Sequence, residues 1–408
     1  MNLEVVKFND SKYFSSIRTK LESKKFSLQF LPESLEDFSK IKNFNFKNKK
    51  LKSSYIIDII HNLILKYYFK KENKFNIMST ILKEKYGHLY NYYIDYLVAI
   101  NVIEMVSNYR SGRNARVYKL NDRILKDKIN RYKNFDNILL KKYKNAVSQI
   151  EENGIKNKLI DDDIKTKLVN DLFHIDIQFD RSIFYLDNLK DRVSDIYHRN
   201  KYSVECINDK HIFYHFDSYG RLHSNFTILK SFIRKNCLLI NGSETCEIDI
   251  SNSQPLFLSK LIKDSKSRWI DNDEIELFNY LVRNGKYYQY LLNNLKIKDK
   301  KDAKELTYKV LFGKNYKNCK YSKMFGFLFP TILNFIKLYK KEKSDYKSLA
   351  YTLQRMESNF LFNILIRKIM IIDDSIKIAT VHDSIIIDVQ YKNLVTDIFN
   401  TELDNHFN

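Results

Sequence analysis

Two short segments, Glu247–Pro255 and Ile378–Asp388, each place a carboxylate beside an apolar, strand-like run. In the first segment the carboxylate is Asp249, and in the second it is Asp383. A lone carboxylate beside a buried strand is costly unless something positive meets it. Two such carboxylates brought together are ligands for the pair of Mg²⁺ ions that supports in-line phosphoryl transfer. The sequence therefore predicts that Asp249 and Asp383 meet at one metal-dependent site.

The first of these carboxylates is predicted to stand where a strand leads into a helix. Residues Leu238–Ile250 read as a β-hairpin around the turn Asn241-Gly242, with Asp249 on the second strand. A helix then opens with Pro255 near its first turn. Glu247 alternates onto the same strand face as Asp249 and is a possible second acid.

The second carboxylate is predicted at the tip of a tight hairpin. His382-Asp383-Ser384 lies between the apolar runs Ile376–Val381 and Ile385–Val389. A His-Asp pair in a hairpin is a weak signal alone, and its weight comes from the pairing with Asp249.

A helix between the two carboxylates carries cations and aromatics at four-residue spacing, namely Lys300, Lys304, Tyr308 and Phe312, followed by Gly313. This spacing places the side chains along one stripe. Its cations can bind a triphosphate, and its aromatics can stack on an incoming base. The alternative is an ordinary amphipathic helix with a Lys-rich exposed face.

Two further segments contain candidate nucleic-acid contacts. Asp217–Ser224 puts Arg221 directly after a glycine turn, where it can hold a phosphate. A helix starting at Leu353 and running to about Met370 carries Gln354 and Arg355, which can reach minor-groove atoms of a primer–template duplex. The alternative for that helix is a polar end, including Glu357, in local ion pairs.

Composition narrows the class of partner. The chain has 408 residues, 70 basic against 49 acidic, and a formal net charge of +21, which favours a polyanion such as nucleic acid. An AT-rich coding bias toward Lys and Asn is the alternative source of that charge. No run reaches the length of a membrane span, and the N-terminus lacks a signal-peptide core. Four cysteines without C-x-x-C spacing favour the cytoplasm and argue against zinc.

The N-terminal half predicts a small helical module. Residues 1–50 are polar and Lys-rich, with a short helix or two at most. Helical runs follow from Ser53, at about Asn76–Tyr86 and at about Leu89–Asn101. Strands at 102–106 and 115–120 flank a turn at 111–114, and the hairpin carries Arg110, Arg113 and Arg116. This is a winged-helix outline whose basic tip can contact phosphate, or whose hairpin contacts only protein.

In order along the chain, the segments of residues 210–390 resemble the palm and fingers of family A DNA polymerases and of single-subunit, phage-type RNA polymerases. The resemblance implies that Asp249, Asp383 and the Ile250 backbone carbonyl bind metal. It implies that Lys304 contacts the triphosphate and protonates the leaving pyrophosphate. The other nucleotide-binding residues that it implies are Lys300, Tyr308, Phe312, Gly313 and Gln254, with Arg221, His382, Gln354 and Arg355 on nucleic acid.

Departures from that pattern concern sugar choice. Five residues after Asp249 the DNA polymerases carry Glu and the RNA polymerases a small residue, whereas this chain has Gln254. Ser384 follows His382-Asp383, as in the RNA polymerases. Phe312 replaces the usual Tyr and lacks its hydroxyl. The pattern is mixed, and the bulk of Gln254 favours deoxynucleotides.

The resulting expectation is an α+β, predominantly helical chain with four segments. These are an N-terminal segment at 1–50, a winged-helix-like module at 51–125, a helical, thumb-like connector at 126–200, and a palm with reduced fingers at 201–408. The palm is a small antiparallel sheet backed by helices. A domain boundary is expected in the connector, around 130–175.

The expected function is template-directed nucleotidyl transfer with two Mg²⁺ ions (or Mn²⁺), on a DNA or RNA primer–template with nucleoside triphosphates and without proofreading. A DNA polymerase is favoured. A primase or RNA polymerase that starts de novo is one alternative, and an inactive nucleic-acid-binding initiator or adaptor is another. A phage, plasmid or bacterial defence setting, with unknown partner proteins and no membrane, fits the compact chain.

Overall fold

The structure is a computed structural model that describes residues 25–70, 73–76, 79–108, 116–142, 159–188, 195–265, 272–315 and 319–407. Contacts divide these residues into two compact units. Unit 1 comprises the described residues within Met1–Asn153, Ile175–Phe213 and Ser224–Gly242. Unit 2 comprises those within Gly154–His174, Tyr214–His223 and Ser243–Asn408. Both units are discontinuous in sequence, which differs from a single boundary around 130–175.

The described elements up to residue 242 mix short strands with helices. The strands are β1 (Ser27–Pro32), β2 (Asn43–Phe46), β3 (Lys49–Lys52), β4 (Phe75–Asn76), β5 (Ile103–Ser107), β6 (Val117–Leu120), β7 (Ile129–Asn134), β8 (Ile175–Ile177), β9 (Tyr214–Phe216), β10 (Leu222–Ser224) and β11 (Leu238–Ile240). The helices are α1 (Ser53–Lys70), α2 (Ser79–Tyr86), α3 (Tyr90–Ala99), α4 (Asp122–Lys126), α5 (Asp162–Leu172), α6 (Phe179–Asp187), α7 (Asp195–Asn208), α8 (Asn225–Ile228) and α9 (Ser231–Cys237), with a 3₁₀ turn at Glu33–Ser39.

From residue 243 onward, helices dominate the described chain. The strands are β12 (Ser243–Asp249), β13 (Ala379–Val381) and β14 (Ser384–Asp388). The helices are α10 (Ser253–Asp264), α11 (Asn272–Arg283), α12 (Tyr287–Asn294), α13 (Lys300–Phe312), α14 (Lys320–Leu328), α15 (Pro330–Glu342), α16 (Ser348–Asn359), α17 (Arg367–Ile372) and α18 (Lys392–Phe407). A π-helical segment, Phe360–Ile366, joins α16 to α17, and a 3₁₀ turn spans Val389–Tyr391.

Unit 1 packs around helix α1, which is buried along most of its length because its apolar residues recur at helical spacing. Strand β1 pairs antiparallel with β7, β2 with β3, and β8 with β11. Strand β6 lies between β4 and β5. The fully buried side chains of this core include Ile56, Ile60, Leu97 and Leu120.

The three helices and the β5–β6 pair lie close to where the sequence predicts them, which confirms those elements. The winged-helix identity stays a prediction. The turn at 111–114, with Arg110 and Arg113, lies outside the described residues, and Arg116 is exposed beside β6. Two expectations were wrong because short strands with few apolar residues give little periodicity. Residues 27–52 form strands rather than a helix or two, and β7 and β8 interrupt the supposedly helical connector.

Unit 2 contains a small antiparallel sheet in which β14 pairs on one side with β12 and on the other with β13. Its central strand is buried on both faces, as its run of isoleucines predicts. Helices supply the rest of the core, including the fully buried rings of Phe257, Phe360 and Phe362. The whole chain is therefore α+β with small antiparallel sheets, as predicted. The identification of this part as a palm, and the four predicted segments, stay predictions.

No helix among the described residues is long and apolar enough to cross a membrane.

His61 of α1 is a buried imidazole whose surroundings favour its neutral form. The Phe30 amide donates a hydrogen bond to His61 Nδ1 at 3.1 Å, so that nitrogen carries no proton. Burial lowers the pKa of His61 to about 4, against the pull of the nearby Asp58 carboxylate. Protonating this side chain would break the hydrogen bond and leave a charge inside the core.

We expect unit 1 to lose stability as the pH falls from about 6.5 toward 4. The unfolded imidazole binds a proton near pH 6.5 and the folded one does not, so His61 stabilises the fold above that range and its contribution disappears below it. The loss should reach about 3 kcal/mol. Urea unfolding from pH 7 to 4.5 should show a steeper decline for wild type than for His61→Gln. His88→Gln, which removes an exposed imidazole, is the matched control and should decline like wild type.

Candidate active site

The register of the unit 2 sheet brings the two predicted acidic segments side by side. Asp249, the last residue of β12, lies opposite Ser384, the first residue of β14. The Ile250 amide then donates to the Asp383 carbonyl at 3.2 Å. Asp249 is exposed and Asp383 is half-buried. The structure therefore places both carboxylates at one end of a strand pair, as the sequence predicts.

The tip that carries Asp383 is a tight turn. His382 has φ of +56°, a left-handed conformation that a two-residue hairpin turn requires. Ser384 Oγ donates to Glu247 Oε1 at 2.8 Å, so Glu247 contacts the turn from the neighbouring strand. These bonds fix the orientation of the turn relative to β12.

Helix α5 anchors the strand that leads into this turn. The Ile378 amide donates to the buried carboxylate of Asp171 at 3.0 Å, and Lys167 Nζ donates to the Ile376 carbonyl at 2.7 Å. Lys167 and Asp171 also form an ion pair of 2.8 Å with each other. Because both side chains are buried and paired, they hold the entry to β13 rigidly.

Asp383 sits among other carboxylates. Burial and the negative charges of Glu357 and Asp249 raise the pKa of Asp383 to about 7, and Arg221 only partly opposes them. The same carboxylates, with Asp383 itself, help to raise the pKa of the Tyr308 phenol, after burial as the main cause. Such long-range effects require Asp249, Asp383, Glu357 and Tyr308 to share one small region.

Glu357 of α16 is the most constrained of these carboxylates, with only 1% of its surface exposed. Its Oε1 accepts from Arg221 Nε at 3.0 Å and also from an Nη of the same guanidinium. Its Oε2 accepts from Ser253 Oγ and from Gln254 Nε2, each at 2.5 Å. One buried carboxylate thus ties the Arg221 turn to the first residues of α10.

Arg221 reaches Glu357 from a preorganised turn. Asp217 Oδ1 accepts from the Tyr219 and Arg221 amides, both at 2.9 Å. Gly220 has φ of +88°, and a Cβ there would lie 3.3 Å from Ser358 Cβ. The glycine is therefore required both by the left-handed backbone and by the close approach to α16. The sequence signal of a cation directly after a glycine turn points to the correct residue.

Helix α13 presents its predicted stripe with unequal consequences. Tyr308 and Phe312 stack with ring centroids 5.5 Å apart, and Tyr308 is the member near Asp383. Lys304 is exposed and its Nζ lies 5.8 Å from the ring centroid of Tyr288. Tyr288 is itself close to Tyr308 and Asp383, because both help to raise the pKa of its phenol after burial as the main cause. Aromatic rings therefore link the predicted lysine to the acidic group.

The C-terminal end of α13 is held by a buried lysine. Lys340 Nζ of α15 donates to the carbonyls of Val310 and Gly313, both at 2.8 Å. Burial lowers the pKa of Lys340 to about 8. A Cβ on Gly313 would lie 2.3 Å from the Lys309 carbonyl oxygen, so this position fits only glycine. Gly313 therefore terminates the helix, and its predicted role in nucleotide binding stays a prediction.

Other predicted residues lie outside this group of contacts. Lys300 is exposed at the start of α13, and Arg355 is exposed on α16 with its guanidinium 5.9 Å from the Tyr219 ring centroid. Gln354 is half-buried on the same helix. His382 contacts His223, with ring centroids 6.4 Å apart. Arg116 belongs to unit 1, and Arg113 is outside the described residues.

The sequence analysis missed the role of Glu357, which it treated as part of a polar helix end in local ion pairs. That interpretation was wrong, because Glu357 pairs with Arg221, 136 positions away in the chain. A usable signal was present. Leu349, Leu353, Glu357 and Phe360 recur at helical spacing and all are buried, so the acid interrupts an apolar stripe. An acid at such a position requires a buried cation as partner.

The donor set fits a divalent cation in its chemistry. Among the described residues, no group of three His, Cys, Asp or Glu side chains is arranged to hold a metal ion. The two carboxylates of Asp249 and Asp383 nevertheless repel each other strongly enough to raise the pKa of Asp383. Oxygen ligands with excess negative charge are what Mg²⁺ prefers, and its binding would relieve that repulsion.

Comparison with known proteins adds no family to this description. No model of a known protein family matches the chain. A comparison with curated proteins finds none that is similar to it. The resemblance to the polymerases therefore depends on the motifs in the sequence, and the arrangement of those motifs in unit 2 is the further observation that bears on it.

We expect Asp383→Asn to stabilise the protein at pH 8. A carboxyl whose folded pKa is raised binds its proton more tightly when folded, so its contribution to stability falls as the pH rises from about 4 to 7. Asparagine removes that cost, and the gain at pH 8 should be about 2–4 kcal/mol, vanishing near pH 4.

Thermal melts at pH 4.5 and pH 8 check this prediction. The exposed Asp397→Asn serves as the matched control and should show no such pH-dependent gain. Addition of Mg²⁺ at pH 8 should raise the melting temperature of wild type and leave Asp383→Asn unchanged. Equal melting of wild type and Asp383→Asn at pH 8 would contradict the proposed crowding of carboxylates.

We expect Arg221→Ala to destabilise unit 2 by about 3–5 kcal/mol, because it leaves the Glu357 carboxylate buried without its cation. The double variant Arg221→Met with Glu357→Leu should recover at least half of that loss. Arg367→Ala, which removes an exposed cation beside Asp161, is the matched control and should cost less than about 1 kcal/mol. Urea unfolding measures all three. A loss below 1 kcal/mol in Arg221→Ala would show that the pair is not a structural anchor.

Proposed function

We propose that the chain is a template-directed nucleotidyltransferase, with a DNA polymerase without proofreading as the favoured form. The observation that carries the proposal is the register of β12 and β14, which sets Asp249 beside the Asp383 turn. A second support is that the aromatic residues of α13 and α12 approach the same carboxylates. The net charge of +21 suits a nucleic-acid substrate.

In this proposal Asp249 and Asp383, with the Ile250 carbonyl, hold two Mg²⁺ ions. The chemistry that the ions supply when bound is activation of the primer 3′-hydroxyl and neutralisation of the triphosphate. Lys304 binds phosphate oxygens and donates a proton to the leaving pyrophosphate, with Lys300 as a second cation. Tyr308 and Phe312 form a stacked aromatic surface for the incoming base.

The proposal assigns sugar choice to the start of α10. Gln254 is 93% buried, and its amide nitrogen is fixed on Glu357. A side chain fixed in this way keeps its bulk in one position, and bulk beside the sugar disfavours a 2′-hydroxyl. Ser384 instead donates to Glu247, so it is engaged within the sheet. These contacts favour deoxynucleoside triphosphates.

The test is extension of a labelled primer with Mg²⁺ on DNA or RNA template, with deoxynucleotides or ribonucleotides. We expect extension by wild type and a loss of about a thousandfold or more in Asp249→Ala and Asp383→Ala, since bound metal contributes several kcal/mol to such transition states. Lys304→Ala should lose about 10²–10⁴-fold, as removal of a general acid does. Lys301→Ala, a neighbouring exposed lysine outside the predicted stripe, is the control.

The alternatives give different outcomes in the same assay. Synthesis from an unprimed template with ribonucleotides alone would identify a primase or RNA polymerase. Nucleic-acid binding that survives Asp249→Ala with Asp383→Ala, together with no Mg²⁺-dependent incorporation by wild type, would identify an inactive initiator or adaptor. Either result replaces the favoured form of the proposal.

A further inference from the structure

Helix α16 carries a stripe of cations and aromatics on its outer face. Lys347, Tyr351 and Arg355 are spaced by four residues, and the Tyr351 amide donates to the Lys347 carbonyl at 3.0 Å. Side chains at this spacing lie above one another on a helix. Lys347 and Arg355 are exposed and Tyr351 is half-buried.

Neighbouring aromatic rings extend this stripe at both ends. Tyr219 stacks on Tyr351, with centroids 4.6 Å apart and planes 16° from parallel, and the Arg355 guanidinium lies 5.9 Å from the Tyr219 centroid. At the other end, two amines lie near the Tyr346 ring, that of Lys314 at 5.4 Å and that of Lys347 at 5.7 Å. We call the set the aromatic–cation stripe: Lys314, Tyr346, Lys347, Tyr351, Arg355 and Tyr219.

We propose that the aromatic–cation stripe binds single-stranded nucleic acid. Single strands expose base faces that stack on aromatic rings, while their phosphates require cations at intervals, and the stripe alternates these two groups. A duplex offers no free base faces along its length. Asp345 is the carboxylate beside the stripe, and it accepts the Lys347 amide at 2.9 Å rather than covering the exposed amines.

The stripe adjoins the candidate active site through two elements. Tyr219 belongs to the same turn as Arg221, and α16 carries both Arg355 and Glu357. Since Arg221 and Glu357 are bonded, the stripe and the acidic site are parts of one rigid arrangement within unit 2. A strand on the stripe would therefore lead to the site as a template overhang. This template role rests on the proposed function, whereas the binding itself does not.

The competing explanation is that the rings and cations only stabilise one another. Tyr219 and Tyr351 are already stacked, and each lysine already has an aromatic neighbour. In that case substitutions in the stripe lower the melting temperature and leave nucleic-acid affinity unchanged. The two explanations thus differ in a measurable way.

The experiment uses fluorescence polarisation of labelled twelve-nucleotide oligo-dT and oligo-rU in EDTA, on the full chain carrying Asp249→Asn and Asp383→Asn. We expect Tyr351→Leu to weaken binding about tenfold, as loss of one stacked base predicts, and Tyr351→Phe to bind like the parent. Lys347→Gln should lower the slope of log affinity against log salt by about 0.7. A self-complementary duplex should bind more weakly, with no effect of Tyr351→Leu.

An exposed pair elsewhere in unit 2 provides matched controls. Lys286 Nζ lies 4.9 Å from the ring centroid of Tyr280, of which 51% is exposed. Tyr280→Leu and Lys286→Gln should leave the affinity unchanged. A 2-aminopurine placed in the oligonucleotide should be quenched on binding to the parent and less quenched with Tyr351→Leu. Circular dichroism melts establish that each variant is folded.

The outcomes separate this inference from the proposed function. Equal affinity of Tyr351→Leu and the parent, or equal losses in Tyr351→Leu and Tyr280→Leu, would overturn the inference even if primer extension succeeds. Loss of affinity and of quenching confined to the stripe supports it even if no nucleotide is ever incorporated.

Discussion

The carboxylate of Glu357 is the point at which the functional part of unit 2 is held together. It is almost completely buried, and it accepts hydrogen bonds from Arg221, Ser253 and Gln254. These partners come from a hairpin turn and from the first turn of a helix, which are distant in sequence. A buried carboxylate is stable only with a cation and good hydrogen bonds, so the geometry of all four side chains is mutually determined. The acidic site inherits its shape from this constraint.

The same carboxylate has an unfavourable effect on its surroundings. Its negative charge, together with that of Asp249, is part of what raises the pKa of Asp383 to about 7. A fold selected only for stability would not crowd carboxylates in this way, because the repulsion is not fully offset by Arg221. Strain of this kind is typical of sites that bind a positively charged ligand. The crowding thus argues for function independently of the sequence motifs.

Much of this arrangement could be predicted from the sequence, because its elements are strongly patterned. The isoleucine run of β14 predicts a buried strand, and the short turn at His382-Asp383 predicts its hairpin. The four-residue spacing of Lys300 to Phe312 predicts α13. The hydrophobic pattern of each strand could not, however, reveal which strands pair, since pairing depends on contacts between residues far apart in the chain.

The errors have equally specific causes. Glu357 was placed in local ion pairs because helical spacing identifies a face but not the partner that meets it. The strands at 27–52 and β7 are short and rich in polar residues, so they lack the alternation that identifies a strand. The discontinuous units follow from chain crossings that no local signal marks.

The π-helical segment Phe360–Ile366 has a consequence for how α16 and α17 tolerate change. Its wider turns allow the consecutive side chains Phe360, Leu361 and Phe362 all to be buried, which an α-helix would rarely permit. Such a segment is in effect an α-helix with one residue added, so deleting a single residue there would restore regular winding. Everything beyond it would then rotate by about 100°. Arg367, which bonds Asp161 and Asp163, would turn away from both, while the contacts of Glu357 upstream would keep their phase.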